Sequence, residues 1–283
     1  MYSIAVAILF FEKCEQTIEC VQSVLSPFVK VYILDNGSSE KSHNTLVSKY
    51  KDIANVIFFQ SPKNLGPGSG RNYLIENISE DWIFFLDNDI RVATSNWYQI
   101  LLNSISTNSD VDVFIPKLFN IHENNYVRFH SYRLIGNNIS GEYPAEGILN
   151  CFPGGASCIN KKLFKRIGLY SEKIKVLEDF EISIRALVNK QTIRCKLIDD
   201  INLIHDHRYS NSKADKLSIA ERYNITHYSI AEDFIKNRHN VIFYSGWQSW
   251  VSAQLELFKN ESVLTFLKQK TKTVMKIIFK YIS

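Results

Sequence analysis

The feature that most constrains this chain is a repeated alternation of short, unbroken apolar runs with segments of helical spacing. Residues 4–11 are apolar throughout, with no polar alternation, which is the pattern of a strand covered on both faces. Ile18, Val21 and Leu25 follow at helical spacing, and Pro27 stops that segment. A second apolar run over 31–34 ends in Asp35-Asn36-Gly37-Ser38, a turn sequence. The same reading predicts a polar helix over 42–50, a strand over 56–59, a glycine-rich loop over 64–70 and a helix over 71–78. A strand over 82–86, a helix marked by Trp97, Ile100, Leu101 and Ile105, and a strand over 111–115 follow. Repeated strand-helix-strand units imply an α/β fold with a mostly parallel central sheet and helices on both faces. In such a sheet ligands sit beyond the carboxyl ends of the strands. Polar residues gather in those places: Phe10 to Glu12, Asp35 to Gly37, Asn64 to Arg71, and Asp87 to Asp89.

The later half is less regular. Residues 119–150 read as loops and short antiparallel strands over the site. A helix is predicted over 161–166, and Glu178-Asp179 opens another with Phe180, Ile184 and Leu187 as its apolar stripe. Residues 193–204 read as one or two edge strands ending at His205-Asp206-His207, and helices are expected beyond.

Composition narrows the function classes. A chain of 283 residues with 45% hydrophobic and 22% charged side chains is globular. The net charge of +4 suits an anionic small ligand or membrane surface and falls short of a nucleic-acid binder. Five scattered cysteines, none in a Cys-x-x-Cys pair, read as reduced thiols of a cytoplasmic protein. The apolar start has no basic leader or cleavage site and reads as a core strand. No uncharged run approaches the roughly 18 residues of a spanning helix.

Several motifs carry chemistry. Asp87-Asn88-Asp89 follows an apolar strand, so both carboxylates can reach a hard cation, Mn²⁺ or Mg²⁺, which can bridge a nucleotide diphosphate. An Asp-x-Asp triplet alone says little, and about one is expected by chance in a chain this long. The second copy, Asp110-Val111-Asp112, is expected to have no function. The glycine-rich junction from Asn64 through Gly66 and Gly70 to Arg71 offers close backbone approach, a helix start and a fixed cation to an anion. It is neither a dinucleotide fingerprint nor a P-loop. Glu178-Asp179 could supply a general base or simply complement a helix dipole. His205 and His207 fall on one face of a strand and could complete a metal shell or bind phosphate; the alternative is a surface pair. Residues 263–283 read as a basic amphipathic helix suited to an anionic membrane surface or to packing on protein, a second copy of the chain included.

Taken in order, these pieces resemble the bacterial family 2 glycosyltransferases of GT-A fold. The matching segments are 33–38, Asn64-Leu65-Gly66 through Arg71-Asn72, Phe84 through Asp89, Gly154-Gly155-Ala156, Glu178-Asp179-Phe180-Glu181 with Arg185, and His205 or His207. The resemblance implies a GT-A domain over residues 1–230, with a nucleotide-binding half (1–115) and an acceptor half (116–230), followed by a helical extension over 231–283. It implies transfer of a sugar from a UDP-, GDP- or dTDP-linked donor to a growing surface glycan (lipopolysaccharide, O-antigen or capsule) or a lipid-linked acceptor. That work would take place in the cytoplasm or on the inner face of the plasma membrane. Asp35 with the loop Phe10–Glu12 would hold the nucleotide base beside Asn36. Asn64, Gly66, Gly70 and Arg71 would serve the nucleotide or its diphosphate. Asp87 and Asp89, flanking Asn88, would hold the cation, with His205, or His207 as second choice, as the later ligand. Asp179 would be the base and give inversion, Glu178 would position the acceptor, and Gly154-Gly155 would line the donor–acceptor junction. The Gly-Pro-Gly-Ser-Gly-Arg sequence departs from the looser stretch of many members and leaves the sugar open. Competing classes are a nucleotidyltransferase, which would want a glycine-rich loop after the first strand, and a non-catalytic nucleotide-sugar-binding module.

Overall fold

The structure, a computed structural model, describes residues 2–135, 138–142, 148–174, 177–206 and 240–241. The first half runs β1 (Ile4–Phe10), α1 (Cys14–Val24), β2 (Lys30–Asn36), α2 (Glu40–Tyr50), β3 (Val56–Ser61), α3 (Pro67–Asn77), β4 (Trp82–Asp87), β5 (Ile90–Val92), α4 (Trp97–Thr107) and β6 (Val113–Asn120). The second half runs β7 (Asn125–Tyr126), β8 (Ser131–Ile135), β9 (Asn138–Glu142), β10 (Ile148–Leu149), β11 (Ala156–Asn160), α5 (Lys161–Ile167), α6 (Glu178–Val188) and β12 (Cys195–His205). Two units divide the chain, Met1–Arg208 and Tyr209–Ser283. In the second, only the short strand Asn240–Val241 is among the described residues.

The continuous apolar runs become strands because each face of the sheet has its own core. In β1, Ile4, Val6, Ile8 and Phe10 join one cluster with Cys20, Val21 and Val24 of α1 and Trp97 and Leu101 of α4. Ala5 and Ala7 face the other, with Leu74 and Ile75 of α3, Leu163 and Phe164 of α5, and Ile182 of α6. Period-two alternation feeds both clusters, so no position in the run tolerates a polar side chain. The principal sheet has ten strands, ordered β10-β12-β6-β11-β4-β1-β2-β3, with β5 and β7 attached to β12 and β6. Strands β3, β2, β1 and β4 are mutually parallel. β11 runs antiparallel between β4 and β6, and β12 is parallel to β6. This is the expected α/β architecture, and the parallel strands all point their carboxyl ends to one edge.

Three elements differ from the sequence reading. The helix predicted from residue 71 starts at Pro67, because Gly66 takes a left-handed φ of 84° and Pro67 presets the first turn. Much of the supposed loop is therefore helix. At Gly70 an added Cβ would lie 2.5 Å from Leu9 Cδ1, so glycine lets α3 sit directly on β1. β6 begins at Val113 and continues to Asn120, through Pro116. Pro116 pairs with Ile198, where the register of β12 shifts before resuming at Asn202, and a bulge is where a strand accommodates a residue without an N–H. β12 is not an edge strand: it lies between β6 and the short strands β10 and β5. The irregular stretch after Phe119 does contain antiparallel strands, the hairpin β8–β9 among them. Among the described residues no helix is long and apolar enough to cross a membrane.

Candidate active site

Three segments converge at the carboxyl end of β4. Asp87 is the last residue of β4, and its N–H donates to the Gly155 carbonyl at 2.8 Å, because antiparallel β11 begins beside it. An added Cβ on Gly155 would fall 2.0 Å from Asp87 Cγ, so only glycine leaves room for that carboxylate. Arg71, in the second turn of α3, is 3% exposed. Its Nη2 donates to Asp87 Oδ1 at 2.7 Å, and its Nη1 donates to Glu178 Oε1. The guanidinium is buried, which opposes its charge, but the Asp87 and Glu178 carboxylates outweigh that and hold it charged. Burial pushes the Glu178 carboxyl above the usual carboxylate range, against the pull of Arg71, and the charges of Asp179 and Asp87 add to the upward push. Asp179 is placed by the Gly154 N–H, which donates to its Oδ2 at 3.1 Å. Residue 177 before this pair is a leucine in the left-handed region, φ 60°.

Asp89 lies on the other side of the same turn, with its side chain 5% exposed. Lys13 Nζ donates to its Oδ2 at 3.0 Å, and His205 Nε2 lies 3.4 Å from its Oδ1. The backbone N–H of Asp206 donates to the Asp89 carbonyl at 2.9 Å, which lashes the end of β12 to β5. Asn88, between the two aspartates, turns to α1 and donates to Thr17 Oγ1 at 3.1 Å. The carboxylates of Asp87 and Asp89 thus serve two adjoining groups, one centred on Arg71 and one on Asp89. Among the described residues no group of three or more His, Cys, Asp or Glu gathers as a cation site. The Asp89–His205 pair still has the donor chemistry of a site that takes its remaining ligands from phosphate oxygens and water. His207 lies outside the described residues, as does the tail over 263–283.

The nucleotide-side candidates form a third group. Asp35 is buried, with Oδ1 accepting from the Ser38 N–H at 2.8 Å and Oδ2 2.6 Å from His43 Nδ1. Asn36 Oδ1 accepts from the Leu65 N–H at 3.0 Å, and Asn64 Oδ1 accepts from the Gly66 N–H at 2.8 Å, so the turns after β2 and β3 brace each other. Glu12 accepts from the Ser39 N–H at 2.6 Å and from the Ser42 hydroxyl. Those bonds, the Ser42 hydroxyl first, hold its carboxyl below the usual range. Glu12 and Lys13 both have left-handed φ, 53° and 51°, which folds the chain sharply off β1 towards this edge. Phe10 itself sits in the core at 1% exposure, and the ring presented outward there is Phe11.

Several residues at the site carry no motif. Lys13 and His43 each pair with a candidate carboxylate. Gln16 Nε2 donates to the Asp206 carbonyl at 2.6 Å, and His122 Nε2 lies 2.6 Å from Asp206 Oδ1. Tyr170 lays its ring 6.0 Å from the Arg71 guanidinium carbon and exchanges two hydrogen bonds with Asn72. Carboxylates and glycine-rich turns were the signals available in the sequence, and these partners come from elsewhere in the chain.

A parallel-cored sheet with an Asp-x-Asp turn at its carboxyl edge and a later acidic helix start against it is the GT-A class of glycosyltransferase. Residues 5–168 match the model of the family described as Glycosyl transferase family 2. The chain belongs to that family and is a glycosyltransferase. It is 23% identical over 241 residues to an uncharacterized glycosyltransferase, MJ1057, of Methanocaldococcus jannaschii, covering 80% of each chain. Among solved structures it is similar to S. aureus TarS 1–349, with a TM-score of 0.56 and 16% identity over 78% of this chain. GalNAc-T7, solved with UDP, GalNAc and Mn²⁺, gives a TM-score of 0.57 at 17% identity, also over 78% of this chain. This chain spans 65% of that TarS chain and 48% of GalNAc-T7.

Proposed function

We propose that the enzyme transfers a sugar from a nucleotide-diphospho-sugar to a hydroxyl of a growing glycan, with inversion at the anomeric carbon. The observation that carries this reading is the Gly154 N–H bond to Asp179, because the same glycine pair seats Asp87 and Arg71. The base and the Arg71–Asp87 pair are thereby fixed by one loop. Asp179 accepts the proton of the incoming hydroxyl as its oxygen bonds to the anomeric carbon. The bond from that carbon to the diphosphate oxygen breaks, and its electron pair leaves with the diphosphate. Attack from the face opposite the leaving group inverts the centre. Arg71, paired with both Asp87 and Glu178, keeps these acids in fixed positions beside the base.

A divalent cation, Mn²⁺ or Mg²⁺, would be held by Asp89 and His205 and would neutralise charge on the departing diphosphate. Asp35, with His43 and the Ser38 N–H fixing its carboxylate, would meet the nucleotide base. Two solved structures of similar fold support the donor class: TarS has been solved in complex with UDP-GlcNAc, and GalNAc-T7 with UDP and Mn²⁺. Asp179→Asn tests the assignment. Calorimetry with UDP is expected to show affinity within about twofold of wild type, while transfer from UDP-sugars falls about 10³-fold. Unchanged transfer would remove Asp179 as the base.

A further inference from the structure

Beside the acidic start of α6 stands a ridge of aromatic rings that the chemistry above does not use. Tyr132 of β8 meets Phe180 edge-on, ring centroids 5.1 Å apart, and His130 lies 6.4 Å from Tyr132 on the other side. All three rings are partly exposed. Phe180 is the residue after Asp179, so the ridge begins one position from the base.

The ridge is held in place by the loop that also positions the base. Asn150 Oδ1 accepts from the Tyr132 N–H at 2.8 Å and from the Ser131 hydroxyl at 3.1 Å, and its Nδ2 donates to the Tyr132 carbonyl at 2.6 Å. Four residues on, Gly154 donates to Asp179. One short segment, 150–154, therefore fixes the distance between the rings and the carboxylate. Rigid first contacts braced by a second layer of hydrogen bonds are what a binding site requires. The ridge also carries little charge at neutral pH, since burial lowers the His130 pKa and favours the neutral imidazole.

We propose that the Tyr132–Phe180 pair, extended by His130, is the acceptor subsite and takes a pyranose by its apolar face. This rests on the assignment of Asp179 as base. Phe180 follows Asp179 directly at the start of α6, so a sugar that delivers a hydroxyl to Asp179 has these rings as its aromatic neighbours. The axial C–H groups of a pyranose carry slight positive charge and suit the negative face of an aromatic ring, while the sugar's outer hydroxyls stay in water. An acceptor hydroxyl on a flexible, ring-free chain would gain nothing from such a platform.

The test uses the full chain with UDP and Mn²⁺ present and methyl β-glycosides of glucose, galactose and N-acetylglucosamine as probes. Saturation-transfer NMR is expected to show at least one glycoside bound to wild type, with its C–H protons of one face most strongly marked. Tyr132→Leu, which keeps bulk and removes the ring, is expected to weaken that signal about tenfold, and Tyr132→Phe to restore it. UDP affinity within about twofold of wild type shows that the variants are folded. Equal binding of the glycosides by wild type and Tyr132→Leu would overturn the proposal, as would binding of none by wild type. Failure of UDP binding or of transfer in wild type would instead count against the donor chemistry, so the two ideas fail separately.

Discussion

The chain carries the same acidic triplet twice, and the sheet sends the two copies to opposite ends. Asp87-Asn88-Asp89 closes β4, at the edge where β1 to β4 all terminate. Asp110-Val111-Asp112 precedes β6, which runs in the same sense as β4 because antiparallel β11 lies between them. The second copy therefore sits at the amino-terminal end of the sheet. There Asp112 takes the Arg166 guanidinium at 2.7 Å and the Arg194 N–H at 3.0 Å, and Asp110 pairs with Arg194 at 2.8 Å. At the first copy, the partners are a buried arginine, a histidine, a lysine and a glycine pair that clears space for a carboxylate. Strand direction, rather than the tripeptide, decides which copy reaches the edge where such sheets bind ligands.

Substitutions can break this comparison. Asp89→Ala is expected to cost about 10²- to 10³-fold in kcat/KM, with Mn²⁺ affinity in the presence of UDP lowered in parallel, as read by electron paramagnetic resonance. Equal loss in Asp110→Ala would end the distinction. Gly155→Ala should follow closely, at about 10²-fold in transfer, because the new methyl group occupies the Asp87 carboxylate position. A crystal structure of that variant should show Asp87 displaced from Arg71. Asp112→Ala is expected to lower stability by about 1–3 kcal/mol in urea titration, by stripping a charged acceptor from Arg166 and the Arg194 N–H, with transfer within about twofold.

The smallest effect is a pH dependence at Glu12. Its folded carboxyl is held below the ordinary range by Ser42 and Ser39, so its contribution is complete above that range and is lost as pH falls through the lower folded value. The Tm difference between wild type and Glu12→Gln should shrink on acidification from about pH 6 to pH 3. A constant difference would show that the bonds to Ser39 and Ser42 do not depend on the charge.

The parallel half was legible because burial on both faces leaves no freedom in composition: β1, β2 and β4 announce themselves as apolar runs, and their ends show where the acids lie. The rest was hidden for identifiable reasons. Glycines 68 and 70 look like a loop, yet Pro67 and the close seat against Leu9 make them helix. Pro116 disguises the length of β6 until its partner bulge in β12 is seen. Asp199-Asp200 interrupt the apolar pattern of β12 where its register slips against β6. At the site, the sequence exposes the carboxylates but not their partners. Lys13 is 76 residues from Asp89, and Asn72 is 98 from Tyr170. Such pairings follow from topology, and no local spacing encodes them.

Leu177 has a consequence for anyone who would engineer this enzyme. A leucine in the left-handed region costs on the order of 1–3 kcal/mol, and here that cost aims the two acids that follow it. Glycine at this position would relieve the tension and harden the protein against heat, and it would also let the start of α6 wander. If Asp179 is the base, as proposed, durability and turnover are set against each other at a single backbone torsion.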